Sequence, residues 1–144
     1  MKIEPMTAAH LDGVCALENA CFVHPWSLQS LQDELQNPQS LFYVAIEDGE
    51  VLGYIGMSFV LDEGYIYNVA VDRRHRRRGV GSALIRTLVT HCKKHGFAFL
   101  TLEVRESNRA ARSLYEDFGF VKVGERKSYY IEPTENAVLM TLYF

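Results

Sequence analysis

The chain has 144 residues, and its 48% of hydrophobic and 23% of charged residues are typical of a soluble globular protein, so we expect one domain over residues 1–144. The net charge of −3 argues against a general nucleic-acid binder, and we expect no direct nucleic-acid partner. The three cysteines make no even disulfide set, and no ligand spacing predicts a metal site. No apolar run is long enough to cross a bilayer and the N-terminus is no signal peptide, so we expect no membrane partner and a cytoplasmic location.

The first part of the chain predicts a short edge strand followed by two helices. Residues 1–6 can form the strand, and apolar side chains then recur at helical spacing as far as Leu17. A loop follows, because His24-Pro25 favours an extended backbone before the proline. Ser27 can cap a second helix, which Asn37-Pro38 stops.

Strands dominate the next part of the chain. Residues 41–46 and 51–61 are strand-like, and Asp48-Gly49 between them is the signal of a tight hairpin. Gly53 and Gly56 lie inside the second run, which indicates a bulge or a close approach of another group. With the strand that follows, these runs predict an antiparallel meander.

A strand, a helix and another strand form the centre of the sequence. Residues 65–71 and 97–104 are apolar runs, and residues 82–95 between them carry an apolar stripe at steps of four. A crossover of this length is right-handed and makes the two strands parallel. The sequence therefore predicts an α/β fold with a mixed sheet.

The last part of the chain adds a helix and a pair of strands. The helix covers residues 109–118, and Asn108 or Ser107 can cap it. We expect the final strands at 120–123 and 138–143, joined through residues 127–136.

A basic turn with two glycines joins the first central strand to its helix. Gly79 and Gly81 have no side chains, so a ligand can approach the backbone N–H groups closely. Free N–H groups at a helix start, together with the positive end of the helix dipole, favour phosphate. Arg76, Arg77 and Arg78 add charge and forked donors that suit phosphate oxygens. The turn therefore predicts a site for a small polyanion.

The turn by itself leaves other interpretations open. It is not a Walker A loop, because no Gly-Lys-Ser/Thr follows, and Leu84 stands where a dinucleotide fingerprint needs its third glycine. A run of arginines is also typical of a solvated basic face or of a nucleic-acid patch. The net charge of −3 favours a small polyanion over a long duplex.

Residues 76–81, Arg-Arg-Arg-Gly-Val-Gly, resemble the [QR]-x-x-G-x-[GA] loop of the GNAT superfamily of N-acetyltransferases. The order of strand, long helix and strand around this loop is similar as well. A closer similarity, to the ribosomal-protein-alanine N-acetyltransferase (RimI) subfamily, covers almost the whole chain. It rests on residues 68–72, 102–111 and 114–120, on His24-Pro25-Trp26-Ser27 and on Tyr129-Tyr130.

The resemblance implies a single GNAT-type domain with about four helices, in which two parallel central strands splay apart and acetyl-CoA, the co-substrate, wedges between them. The pyrophosphate would lie on the glycine-bearing loop, and the strand before it would face the pantetheine arm. Asn108 matches a position that contacts CoA, and it can also cap its helix. The implied acetyl-CoA contacts are Val69, Ala70, Val71, Arg76, Arg77, Arg78, Gly79, Val80, Gly81, Ser82 and Asn108.

The resemblance also implies two catalytic residues, a general base at Glu103 and an acid at Tyr115 that protonates the departing thiolate. Without the resemblance, Glu103 would be a solvated strand end and Tyr115 an interfacial tyrosine. A carboxylate, with a reference pKa of about 4.3, is a poor base unless burial raises its pKa or a water relays the proton.

The implied substrate is a protein N-terminus, namely the N-terminal alanine of a small-subunit ribosomal protein. Trp26, Tyr129 and Tyr130 are candidates for an amine-side groove, although each is as well suited to core packing. The subfamily often has an asparagine before the two tyrosines. This chain has Ser128 there, so the contact of that position with the substrate is an open point.

Two other functions stay open on the sequence. An acetyltransferase for lysine or for small amines, such as polyamines or antibiotics, should have extra carboxylates facing the cofactor, and Asp62-Glu63 is the only cluster near the right strand. A non-catalytic acetyl-CoA-binding module would keep the two glycines and lack an acid–base pair such as Glu103 and Tyr115. The sequence gives no oligomeric state.

Overall fold

Seven strands and four α-helices follow one another in the computed structural model, which describes residues 1–144. The strands are β1 (Lys2–Pro5), β2 (Ser40–Glu47), β3 (Glu50–Val60), β4 (Glu63–Val71), β5 (Phe99–Arg105), β6 (Val121–Tyr130) and β7 (Glu135–Tyr143). The helices are α1 (Leu11–Cys21), α2 (Leu28–Gln36), α3 (Val80–Lys94) and α4 (Arg109–Asp117), with 3-10 turns at Ala8–His10 and Arg73–His75. None of these helices combines the length and the apolar character that crossing a membrane requires.

All seven strands join one sheet, in the order β1-β2-β3-β4-β5-β7-β6. β1 to β4 form the predicted antiparallel meander, and Asp48 and Gly49 take left-handed backbone angles at the predicted hairpin. β4 and β5 are the one parallel pair, joined through α3 as predicted. β7 and β6 complete the sheet as an antiparallel hairpin, so β1 and β6 are its edges.

β4 and β5 separate after a short stretch of pairing. Three residue pairs join them, from Glu63–Phe99 to Tyr65–Thr101, although both strands continue beyond these pairs. On its other side β4 stays paired with β3, where the register shifts after Gly56 and leaves Tyr67 as an extra residue. A bulge of this kind bends its strand and increases the twist. β4 therefore stays with β3, and a wedge-shaped gap opens between β4 and β5.

Other groups approach two glycines of β3 closely. A Cβ atom at Gly56 would lie 2.4 Å from the Phe42 ring, and one at Gly53 would lie 2.8 Å from the carbonyl oxygen of Ala70. Neither distance leaves room for a side chain. The prediction that these glycines mark a bulge or a close approach is confirmed at both positions.

Helices cover both faces of the sheet, which gives two apolar cores. α3 packs on one face, where Leu84, Ile85 and Leu88 are fully buried. α1 and α2 pack on the other face, where Val14 and Leu31 are fully buried. The helices therefore bury both faces of the sheet beside the gap between β4 and β5.

The last hairpin is longer than the sequence predicts. β6 runs from Val121 to Tyr130 and β7 starts at Glu135, whereas strands were expected only at 120–123 and 138–143. Most β6 side chains are exposed because the strand lies at an edge. Backbone pairing to β7 alone can therefore define β6, without an apolar alternation in its sequence. The first helix continues to Cys21, four residues beyond the last apolar position predicted for it, and the other predicted elements agree with the structure to within two residues at each end.

Candidate active site

Two clefts open where β4 and β5 separate. One lies along the turn before α3, between Val71 and Leu114, and has a volume of about 590 Å³; we call it the glycine-loop cleft. The other, of about 510 Å³, lies between β4, β5 and the β6–β7 hairpin; we call it the aromatic groove. The residues that line both clefts are Phe22, Val69, Asn108, Ala111 and Tyr115. The two clefts are therefore continuous.

The turn before α3 has the backbone of an anion site. Gly79 is the N-cap of α3 with φ +79°, and Arg77 has φ +64°, so two residues of the loop are left-handed. Where left-handed residues alternate with right-handed ones, successive backbone N–H groups point toward one position, which can bind an anion. A Cβ atom at Gly79 would meet nothing within 4 Å, so the positive φ of this residue, and not a lack of space, is what favours glycine there. At Gly81 a Cβ atom would lie 3.3 Å from Leu114 and would narrow the cleft.

Ten of the eleven residues predicted for the cofactor line the glycine-loop cleft: Val69, Ala70, Val71, Arg76, Arg77, Gly79, Val80, Gly81, Ser82 and Asn108. Arg76 donates from Nε to the carbonyl oxygen of Val71 at 3.3 Å, which holds its guanidinium over the cleft mouth. The sequence analysis missed Cys21 and His75, which also line the cleft.

The exception is Arg78, whose side chain is engaged elsewhere. Its guanidinium donates to the Glu47 carboxylate at 2.9 Å and lies 2.7 Å from Nδ1 of His75. This ion pair holds the pKa of Glu47 below its ordinary value, chiefly through the hydrogen bond from Arg78. A run of three arginines gives no signal of which member faces a ligand, because that depends on the position of the β2–β3 hairpin.

The edge of β4 that faces the gap has no strand partner. Val69, Ala70 and Val71 pair with β3 on one side, and the β5 pairing has already ended at Tyr65. Unpaired strand edges offer N–H and C=O groups to an extended ligand. Beside this edge, the Asn108 side chain accepts the backbone N–H of Ala111 at 3.1 Å and so caps α4, as predicted.

Tyr115 lies on α4 at the junction of the two clefts. Its side chain is 7% exposed, and its ring packs on Phe120 with centroids 5.6 Å apart. Burial, and secondarily the neighbouring Tyr130, raises the pKa of the Tyr115 hydroxyl, which therefore stays protonated. A proton donor thus stands where the clefts meet.

Glu103 lies on β5 and faces the aromatic groove. Its side chain is 8% exposed, and its carboxylate accepts the hydroxyl of Tyr65 at 2.9 Å and Nε of Arg126 at 3.2 Å. Hydrogen bonding to this carboxylate, with burial second, raises the pKa of Tyr129. Burial and the same carboxylate raise the pKa of Tyr65. Two protonated phenols and one guanidinium therefore surround the predicted base.

Aromatic side chains form the walls of this groove. Trp26, on the loop between α1 and α2, contacts Tyr67 edge to face with centroids 5.0 Å apart. Tyr129 and Tyr130 stand on the β6–β7 hairpin with their rings 5.1 Å apart. All three predicted groove residues therefore line it, together with Phe22, which the sequence analysis missed.

The sequence analysis also missed Tyr65 and Tyr67, which lie on β4 and line the groove. A signal for both was present, because residues two apart on a strand share a face. Their rings contact each other with centroids 5.8 Å apart, and only Tyr65 reaches Glu103.

A buried carboxylate holds the loop that carries Trp26. Glu18 is fully buried, and it accepts the backbone N–H of Trp26 at 2.8 Å and the hydroxyl of Tyr54 at 2.6 Å. Charge-assisted hydrogen bonds of this kind are stronger than neutral ones. Glu18 thereby ties one wall of the aromatic groove to β3.

Comparison with known proteins agrees with this geometry. The model of the Acetyltransferase (GNAT) family matches residues 11–120. A Haemophilus influenzae protein named [ribosomal protein bS18]-alanine N-acetyltransferase is 35% identical, with 98% of this chain and 97% of that protein covered. A Bacillus subtilis (strain 168) relative, whose name gives the same activity provisionally, is 36% identical over 96% of this chain and 92% of its own length.

Solved structures are similar in fold as well. The crystal structure of the ribosomal-protein-S18-alanine N-acetyltransferase from Escherichia coli matches with a TM-score of 0.91 and 33% identity, over 99% of this chain and 92% of that one. A Bacillus anthracis protein, provisionally named a streptothricin acetyltransferase and solved in complex with acetyl coenzyme A, matches with a TM-score of 0.69 and 28% identity, over 78% of this chain and 67% of that one.

The first prediction concerns Gly81. The variant Gly81→Val adds a branched side chain between Leu114 and Val71, inside the glycine-loop cleft. We expect acetyl-CoA affinity to fall by at least about tenfold in a calorimetric titration, equivalent to about 1.4 kcal/mol. Wild-type affinity in a folded Gly81→Val protein would show that the cofactor binds elsewhere.

Arg76 and Arg78 provide a matched pair for the same titration. Arg76 lines the cleft and Arg78 is bound to Glu47, so Arg76→Ala should weaken acetyl-CoA binding more than Arg78→Ala. The difference should shrink at high salt, because screening weakens the attraction of exposed charges. Equal losses in both variants would contradict the assignment of different roles.

The second prediction concerns the stability that Glu18 provides. Glu18→Leu leaves the Trp26 N–H and the Tyr54 hydroxyl without their acceptor, and each such loss costs on the order of 1–3 kcal/mol. We expect urea unfolding to show a lower free energy of unfolding. The double variant Glu18→Leu/Tyr54→Phe should recover part of the loss, because one buried donor is then removed as well. A single variant as stable as the wild type would contradict this role.

Proposed function

Because this chain belongs to the acetyltransferase (GNAT) family and is an acetyl-CoA-dependent N-acetyltransferase, we propose that its acceptor is the free N-terminus of a protein, with the N-terminal alanine of ribosomal protein bS18 preferred. The observation that carries the proposal is the continuity of the two clefts at Tyr115, with Glu103 in the aromatic groove. The names of relatives that are 33–36% identical over nearly the whole chain support the choice of acceptor.

In this proposal the glycine-loop cleft holds the cofactor. The N–H groups at the start of α3, with Arg76 and Arg77, bind the pyrophosphate, and the free edge of β4 pairs with the amide-bearing arm. Acetyl-CoA supplies the acetyl group as a thioester. An extended arm on this edge directs the thioester to the junction of the clefts.

Glu103 is the general base of the proposed reaction. An N-terminal amine in the aromatic groove must be neutral to attack, and it loses a further proton as the new C–N bond forms. Glu103 takes up this proton, directly or through one water, and the Tyr65 hydroxyl and Arg126 fix the orientation of its carboxylate. The held orientation lowers the entropic cost of reaching the reactive geometry.

Tyr115 is the proposed acid. When the C–S bond breaks, the departing sulfur takes the proton of the Tyr115 hydroxyl, and the phenolate later regains a proton from water. Burial raises the pKa of Tyr115, so the group is protonated at neutral pH but is also a weaker acid, and donation to the thiolate requires that the two atoms be held close together. Transfer is direct between cofactor and amine, so no acyl-enzyme forms.

The small number of carboxylates at the site favours an α-amine over a lysine side chain as the acceptor. An α-amine has a reference pKa of about 7.7 to 8.0 and a lysine amine one near ~10.4, so neutralising lysine costs roughly 3 to 4 kcal/mol more. Glu103 is the one carboxylate that lines either cleft. Asp62 lies in the β3–β4 turn and Glu63 starts β4, at the end of the strand opposite the splayed gap. The extra acidic groups that a lysine or polyamine enzyme needs are therefore missing from this site.

A non-catalytic acetyl-CoA-binding module is the weaker alternative, because a binding protein has no need for a buried base and a buried acid.

The proposal also includes a cytoplasmic site of action, where ribosomal proteins are made.

The third prediction tests the base. Glu103→Gln keeps the shape of the side chain and removes its charge, so turnover should fall by roughly one hundred to ten thousand fold, the usual contribution of acid–base catalysis. Acetyl-CoA affinity should barely change. Glu125→Gln, on β6 and paired with Lys122, is a matched control and should retain wild-type turnover. Steady-state kinetics of Glu103→Gln at wild-type rates would remove Glu103 from the mechanism.

The fourth prediction tests the acceptor. Two peptides with the same sequence, which starts with alanine and contains a lysine, are compared by mass spectrometry. One has a free N-terminus and the other is blocked there. At a pH of about 7.5, a sizeable fraction of the α-amine is neutral but only about one lysine amine in a thousand. We therefore expect acetylation of the free N-terminus only. Comparable or faster acetylation of the blocked peptide would favour a lysine or polyamine enzyme.

A further inference from the structure

The wall of the aromatic groove that carries Tyr129 and Tyr130 has little backbone support. β6 and β7 pair at Arg126–Ala137 and again at Tyr130–Glu135, with an irregular stretch between. Ser128 and Glu132 have positive φ, and Tyr129 and Ile131 are exposed. Apolar packing therefore contributes little to holding this end of the hairpin, and polar contacts must hold it.

Arg105 supplies those contacts from the end of β5. Its guanidinium donates to the carbonyl oxygens of Pro133 at 3.0 Å and of Ile131 at 3.3 Å. The same group lies 4.4 Å from the ring centroid of Tyr130, a cation–π distance. One side chain thus binds the backbone of the turn and the face of a groove residue.

The contact extends to the turn before α4 through Glu135. The Glu135 carboxylate accepts Nη1 of Arg105 at 3.3 Å and also the backbone N–H of Ser107. Hydrogen bonding, first from Ser107 and then from Arg105, keeps the pKa of Glu135 below its ordinary value, so the carboxylate stays charged. Ser107 precedes Asn108, which lines both clefts. The network therefore connects the peptide side of the site with the cofactor side.

We propose that Arg105 is a positioning residue for the peptide substrate: it fixes the Tyr129–Tyr130 wall of the aromatic groove and sets its distance from the turn that carries Asn108. This inference rests on the proposed function, because it takes a peptide as the occupant of the groove. Arg105 itself lines the groove beside these two tyrosines and acts on the peptide by holding them in place, and Glu103 and Tyr115 remain the groups that move protons.

The geometry requires arginine rather than a positive charge alone. The guanidinium is planar, so it can stack on Tyr130 while its edge donates to Ile131, Pro133 and Glu135. A lysine ammonium is a compact point charge and cannot stack and bind three acceptors at once. Arg105→Lys should therefore resemble Arg105→Met more than the wild type.

The decisive measurement separates KM for the peptide from kcat. In Arg105→Met we expect KM for an N-terminal alanine peptide to rise about tenfold, with kcat within about threefold of the wild type, because the lost contact supports binding and not the chemical step. Acetyl-CoA affinity should stay within about twofold. Arg86→Met is the matched control: Arg86 also stacks on an aromatic ring, that of Phe118 at 5.6 Å, but lines neither cleft. Its peptide KM should not change.

A second readout follows the hairpin itself, without substrate. Limited trypsin digestion, located by mass spectrometry, should cut after Lys127 faster in Arg105→Met than in the wild type or in Arg86→Met, because the turn is released. If Arg105→Met does not fold, Glu135→Gln tests the same network with a milder change and should show a smaller rise in peptide KM.

The outcomes are distinct. A wild-type peptide KM in Arg105→Met or in Arg105→Lys, a loss of kcat at unchanged KM, or unchanged cleavage after Lys127 would each overturn the role of Arg105. If the wild type acetylates no N-terminal peptide, the proposed function fails instead, and faster cleavage in Arg105→Met would still show that Arg105 holds the hairpin.

Discussion

The site depends on the early end of pairing between β4 and β5. Three residue pairs join the strands, and the extra residue Tyr67 keeps β4 with β3 rather than with β5. Because the pairing ends there, the backbone groups of β4 beyond Tyr65 have no strand partner on the side of the gap. The groups proposed to bind the cofactor and to move protons lie on elements beside the gap: β4, the loop before α3, β5 and α4.

Burial gives the two proposed catalytic groups different roles. Tyr115 is buried beside Phe120, which favours its neutral, protonated form. Glu103 is nearly as inaccessible, yet Tyr65 and Arg126 donate hydrogen bonds to its carboxylate. These two donors hold the Glu103 carboxylate in one orientation. The splayed gap thus contains both proposed catalytic groups, Glu103 in the aromatic groove and Tyr115 where the two clefts meet.

The two walls of the aromatic groove are held by different means. Glu18 ties the Trp26 loop to β3 from within the core, where losing an acceptor leaves donors that water cannot reach. Arg105 holds the opposite wall from a partly exposed position, through backbone carbonyls and the Tyr130 ring. Loss of the first contact should therefore appear mainly in the stability of the protein, and loss of the second mainly in substrate binding.

Local signals in the sequence determined the order of elements, the parallel crossover and the anion-binding turn, because each depends on residues close together in the chain, such as Gly79 and Gly81 before an apolar helical stripe. Tertiary structure decided what depends on distant partners. Arg78 binds Glu47 and does not line the cleft, and β6 is a strand because β7 pairs with it. The Tyr65 hydroxyl donates to Glu103 on the neighbouring strand. None of these contacts has a local pattern. Each joins residues that only the folded sheet brings within hydrogen-bonding distance.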